Sequence, residues 1–141
     1  MTPRNPDFAA DIAASFARQG ALATIGAELG AVTAGRCEVR LPITDKVRQQ
    51  QGFVHGGMVG LIGDVAGGYA AMTMFDPGKD VLTLEYKINF LRPAQGEMLI
   101  ATGTVVRAGR SVAITRADVE AIAADGTRTL CAILQQSSMP G

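Results

Sequence analysis

The sequence predicts an α+β domain: one long buried helix packed against an antiparallel sheet of five to six strands, with a short helix at the N-terminus. Three observations lead there. Residues 56–75, GGMVGLIGDVAGGYAAMTMF, are apolar on every side and too long for an ordinary strand, which points to a helix buried all round. Directly after the turn Asp76-Pro77-Gly78 the pattern switches to a strict period of two. Three more strand-like segments then follow, separated by turn signals.

In chain order, Asn5 suits a helix N-cap and Pro6 the first helical position, and Phe8, Ile12 and Phe16 recur every fourth residue until Gly20. A helix over about residues 6–19 is expected. Residues 22–32 are apolar and punctuated by glycine, and they are read as a strand. Over residues 35–43, Cys37, Val39 and Leu41 alternate with Glu38 and Arg40, the mark of a half-buried strand. The long helix comes next; it has too few bulky apolar residues to be a membrane span. In the period-two segment, Leu82, Leu84, Tyr86, Ile88 and Phe90 are expected to face inward and Thr83, Glu85, Lys87 and Asn89 outward. Strands over residues 98–107, 111–123 and 128–136, broken at Ala108-Gly109 and Asp125-Gly126, complete an antiparallel meander of consecutive strands. No repeat, linker or low-complexity stretch intervenes, so residues 1–141 form a single domain.

Composition narrows the function. With 48% apolar and 18% charged residues, charge-driven disorder is excluded. Acids and bases balance at 13 each, which argues against the broad basic face needed to hold nucleic acid or an anionic membrane. The opening MTPRNPDF lacks the apolar stretch of a secretory signal, so a cytoplasmic location is expected. Cys37 and Cys131 form no Cys-x-x-Cys pair and fit as buried small hydrophobes. A single histidine, His55, excludes a metal site built from several imidazoles, and no metal or cofactor is expected.

Asp64 is the only acidic or basic side chain between His55 and Asp76, and it falls in the middle of the buried helix. An unpartnered carboxylate there costs several kcal/mol, so it must be hydrogen-bonded or line a functional cleft. At −7, −4, +3, +4 and +7 from it stand Gly57, Gly60, Gly67, Gly68 and Ala71, a face stripped of bulk. Each interior glycine costs about 1 kcal/mol relative to alanine, which a ligand groove or a closely wrapped sheet would offset. Upstream, Gln49-Gln50-Gln51-Gly52-Phe53-Val54-His55-Gly56-Gly57 leads into the helix, whose first N–H groups lack intrahelical partners and can polarise a carbonyl. A phosphate could use the same end of the helix, but the Gly-Lys-Ser/Thr of a P-loop is missing.

The His55-Gly56-Gly57 run, Asp64 nine residues after the histidine, and Glu85-Tyr86-Lys87-Ile88-Asn89-Phe90-Leu91-Arg92-Pro93-Ala94 together resemble the phenylacetic-acid-degradation type of hotdog thioesterase. Gln49-Gln50 before Gly52-Phe53-Val54-His55 is more specifically similar to the bacterial medium- and long-chain acyl-CoA thioesterase branch. The resemblance spans about residues 25–136 and implies the hotdog fold, with an acyl-CoA as substrate. It makes Asp64 the nucleophile or the general base and lets the Gly56 N–H polarise the thioester carbonyl. Gln49 would orient the carboxylate or the water, His55 would support the loop, and Thr83 would place the water. Gly57, Asn89 and Phe90 would meet substrate, and the turn containing Arg107, Gly109, Arg110 and Ser111 would meet CoA. The family pattern further implies a homo-oligomer, at least a dimer and up to a tetramer, with clefts built from two chains. Two rival readings are a hotdog 3-hydroxyacyl thioester dehydratase or hydratase, and a noncatalytic acyl-CoA binder. A Ser-His-Asp hydrolase is disfavoured because no Gly-x-Ser-x-Gly is present.

Overall fold

In the computed structural model, which describes all 141 residues, the chain runs α1 (Phe8–Ala17), α2 (Gly20–Ile25), β1 (Glu28–Thr33), β2 (Arg36–Pro42), α3 (Gly56–Met72), β3 (Val81–Phe90), β4 (Met98–Ala108), β5 (Ala113–Ile122) and β6 (Arg128–Pro140). The six strands form one antiparallel sheet in the order β1-β2-β4-β5-β6-β3, and α3 lies across it. The expected helix and sheet are both present. Cys37, Val39 and Leu41 on β2 are fully shielded, as their alternation requires, and they join Val59, Ile62, Ala66 and Tyr69 of α3 in one core. Burial pushes the Cys37 thiol up to about 12, with Glu38 adding to the rise, so this cysteine behaves as an inert apolar filler. Helix and sheet meet backbone to backbone at Gly103, where any Cβ would run into the Ala66 carbonyl. No helix is long and apolar enough to cross a membrane.

Four details differ from the sequence reading. Asn5 lies outside the first helix: Asp7 occupies the N-cap, and Asn5 braces the entry by accepting from the Asp7 N–H (2.9 Å) and donating to Asp11 (2.8 Å). Gly20 starts a second short helix instead of ending the first. Residues 22–32 therefore divide between α2 and β1, with Gly26 at φ 78° in the left-handed conformation that ends α2 and redirects the chain. The strands also do not pair wholly in sequence order. β4, β5 and β6 form the meander, but α3 carries the chain from β2 across the sheet to β3, which pairs with β6 at the far edge.

The fourth difference concerns β3 and bears on the site. A register shift between Thr83 and Glu85 leaves Leu84 without a partner on β6, and this bulge reverses which side chains face α3. Val81 and Thr83 approach the helix before the bulge, and Tyr86 and Phe90 approach it after. Leu82 and Leu84, expected inside, are 55% and 53% exposed, and Tyr86 and Phe90 remain 44% and 56% exposed because β3 is an edge strand.

Candidate active site

Asp64 emerges from the middle of α3 toward the junction of β3 and β6. Thr83 donates its hydroxyl to Asp64 Oδ1 at 2.7 Å, and the Gln136 amide donates to the same oxygen. Gln136 Nε2 also reaches the Asp64 backbone carbonyl at 3.1 Å and the Thr83 hydroxyl at 3.0 Å. Burial drives the Asp64 pKa up, the Thr83 and Gln136 hydrogen bonds pull it back in part, and the net shift is upward. This is a carboxylate held at an electrostatic disadvantage inside apolar surroundings, which is the condition expected of a catalytic base.

The bare helix face around Asp64 is filled by these partners more than it is left open. A Cβ at Gly67 would collide with the Gln136 amide and crowd the Thr115 hydroxyl, one at Gly60 would sit 3.1 Å from the Tyr86 hydroxyl, and one at Gly68 would touch Val81. Close wrapping by β3, β5 and β6 is thus the main reason for the small residues. What stays open is a cleft of about 290 Å³ beside Asp64 and Thr83, reaching Val65, Tyr69, Asp80 and the first helix. At its inner end the Tyr69 hydroxyl shares hydrogen bonds with Ser15 (2.8 Å) and Gln19 (2.6 Å).

The N-terminus of α3 forms a second cleft, about 400 Å³, lined by Gln49, Phe53, Gly56, Val59, Phe90 and Pro93 among others. His55 is the N-cap, and its Nδ1 accepts the Gly57 N–H at 2.9 Å, which ties the incoming loop to the first turn of α3. The next two amides, of Met58 and Val59, bond the His55 carbonyl. Gly56 N–H alone among these first donors has no partner within the chain, and Gly56 lines this cleft beside the Phe90 ring. An unpaired amide at the positive end of a helix is suited to bind a carbonyl oxygen as charge builds on it.

Thr83 is thus beside Asp64, while Gln49 and Phe90 are beside Gly56. Gln49 Nε2 donates to the Gln51 amide oxygen at 3.0 Å, and Gln49 does not reach Asp64 in its own chain. Eight residues of helix separate Gly56 from Asp64, about 12 Å at the α-helical rise, so one chain presents two half-sites at different points along α3. Asn89 joins neither half-site; it lines a groove with Lys87, Arg116 and Gln135 on the sheet's outer face. Arg107 lies near the end of β4, opposite Ile114, and Gly109, Arg110 and Ser111 form the turn that follows, closed by Gly109 N–H to the Val112 carbonyl, at the sheet end where β3 begins. No group of three or more His, Cys, Asp or Glu side chains converges in a way that could hold a metal ion.

Three polar residues escaped the sequence reading: Gln136, Thr115 and Tyr69. Gln136 and Ser138 occupy inward positions of β6 in phase with Leu134, and a glutamine in the apolar phase of an alternating strand was the available signal.

Comparison with known proteins places these features in a family. The thioesterase superfamily profile matches residues 51–127, from just before the His-Gly-Gly loop to the start of β6. A thioesterase family protein of Silicibacter pomeroyi is 37% identical and superposes with a TM-score of 0.91 over 94% of this chain and 97% of that one. The Escherichia coli PaaI protein from the phenylacetic acid degradation operon shares the fold at 18% identity, with a TM-score of 0.82 over 96% of this chain and 94% of its own. A 1,4-dihydroxy-2-naphthoyl-CoA hydrolase of Listeria monocytogenes is 32% identical over 91 residues, 64% of this chain and 74% of that protein. With the family match covering more than half of its length, and with the fold of its solved neighbours, this chain belongs to the thioesterase superfamily and has the hotdog fold.

Proposed function

We propose that this protein is an acyl-CoA thioesterase that hydrolyses the thioester to a free acid and CoA, without a metal or cofactor. The observation that carries the reading is the half-buried Asp64, its pKa raised and its Oδ1 held by Thr83 and Gln136 at the edge of a cleft. Its relationship to a CoA-thioester hydrolase supports the substrate class.

Two half-sites too far apart in one chain become one site when two copies pair. β3 is an edge strand, paired on one side with β6 and open on the other, and it exposes Leu82, Leu84, Tyr86 and Phe90, followed by Leu91, apolar side chains that such an edge ordinarily avoids. Pairing two copies along β3 brings Gly56 of one chain toward Asp64 of the other. The Gly56 N–H then binds the thioester oxygen and Asp64 drives attack on the carbonyl carbon. The carbonyl–sulfur bond breaks, and the sulfur leaves as the CoA thiol once protonated. Asp64 does this as a base toward water or as the nucleophile; after a single turnover in heavy-oxygen water, label in the protein identifies an anhydride cleaved at the Asp64 carboxyl carbon, which the base route cannot produce.

His55 disfavours the dehydratase alternative. Its Nδ1 accepts the Gly57 N–H as the helix cap, which places the ring proton on Nε2 and leaves neither ring nitrogen free to take a proton from a substrate carbon. Following free-thiol release from a panel of aliphatic, aryl and 3-hydroxy acyl-CoAs tests the proposal. Release from at least one, abolished in Asp64→Asn, is the expected result; binding without release from any would make the protein an acyl-CoA binder and overturn the reading.

A further inference from the structure

Oδ1 and Oδ2 of Asp64 are treated very differently by the fold. Oδ1 receives both hydrogen bonds, from Thr83 and Gln136. Oδ2 receives none, and it is not shielded, since Ser138 Oγ is the one buried side-chain polar atom without a partner. Oδ2 is therefore the oxygen that meets the cleft. The asymmetry originates one layer deeper. Gln136 is 1% exposed and Thr115 0%, so neither can touch substrate. The Thr115 hydroxyl donates to the Gln136 amide oxygen at 3.0 Å, which forces the NH₂ end of that amide toward Asp64 and Thr83. Gly67 leaves the space in which this pair sits against α3.

Resting on the thioesterase reading, we infer that Gln136, oriented by Thr115, is a positioning residue that fixes the Asp64 carboxylate through Oδ1 and aims Oδ2 at the reacting carbon or water. A fixed carboxylate has only one oxygen free to act, and its loss of rotational freedom is settled before substrate arrives. Thr83 is part of the same device, accepting from Gln136 while it donates to Asp64.

The test is Gln136→Met, which preserves length and removes the amide donor. On the best thioester of the panel, kcat falls about tenfold or more with KM little changed, as expected when a hydrogen bond to a charged group acts on the chemical step. The acid limb of the kcat profile moves to higher pH, because a bond favouring the ionised form is gone. In an Asp64→Asn background the same substitution adds no further loss of kcat. Isotope-edited NMR titration of the Asp64 carboxyl in wild type and Gln136→Met reads the same displacement without turnover. A wild type inactive on every thioester would thus defeat the thioesterase reading, while the titration would still decide the positioning role. Should Gln136→Met fail to fold, Thr115→Val, close to threonine in shape, carries both readouts in the same direction and smaller. A folded variant with an unmoved acid limb and an unmoved Asp64 titration, or one whose loss is undiminished in the Asp64→Asn background, overturns the inference.

Discussion

Replacing Asp64 with asparagine separates the cost of this residue from its use. The side chain keeps its shape, and the asparagine Oδ1 can still accept from Thr83 and Gln136, so the packing between α3, β3 and β6 survives. What disappears is the buried charge. Because folding raises the Asp64 pKa, the native state holds that proton more tightly than the unfolded chain does. For an acid shifted this way the ionised form destabilises: the cost is fully present above the native pKa, shrinks as pH falls through it, and vanishes below the unfolded value of about 3.9. Asp64→Asn should therefore melt no lower than wild type at neutral pH, and its advantage should close as the solution is acidified. Turnover should drop by about two orders of magnitude or more, because the proposed mechanism uses the lost group as base or nucleophile. Thermal melts across the acid range, paired with thiol-release assays on the same preparations, measure both. A variant that melts clearly below wild type at neutral pH would mean that Asp64 is a stabilising structural group, and one that keeps near wild-type turnover would remove it from the chemistry.

Thr83→Val should cost roughly tenfold in kcat and shift the acid limb of the rate profile upward, since the valine cannot donate to the carboxylate; an unmoved limb in steady-state kinetics would contradict this. Leu84→Lys puts a charge on the exposed bulge of β3, outside both clefts, and should yield an inactive species at the chain mass of 14.7 kDa in light scattering; a fully active monomer would refute the two-chain site. Gly103→Val drives a side chain into the α3 backbone at Ala66 and should destabilise by about 3 kcal/mol or more, enough to prevent recovery of folded protein, as circular dichroism and solubility would show.

Much of this architecture was legible in the sequence because it follows from periodicity. The 56–75 run is helical as far as Met72, Cys37, Val39 and Leu41 share a buried face, and the turn signals after Arg107 and at Asp125-Gly126 separate strands that the fold contains. Asp64 stood out for the same reason, as a charge in a region whose pattern left no room for one. The bulge at Leu84 was hidden, because alternation continues through it in the sequence while the structure changes which parity faces the helix. That single unpaired residue lets Thr83 reach Asp64 and, further along, lets Tyr86 and Phe90 cover the same helix. A uniform strand would have turned one of these groups away.

The site residues that escaped notice share a physical property: their roles depend on contacts between elements distant in the chain. Gln136 lies 72 residues from Asp64 and meets it only because β6 runs beside β3 in the assembled sheet. Local pattern marks where a side chain points along its own element, and it carries no information about what stands opposite. The same reasoning explains why Gln49 and Gly56 could be assigned to one mechanism with Asp64 and yet line a different cleft, with Gly56 two helical turns away from it. A helix of fixed rise cannot bring its N-terminal amide to a carboxylate eight residues along its own length. Under the proposed pairing of two copies along β3, the second chain supplies what the geometry of one helix forbids, so loss of pairing and loss of catalysis should occur together.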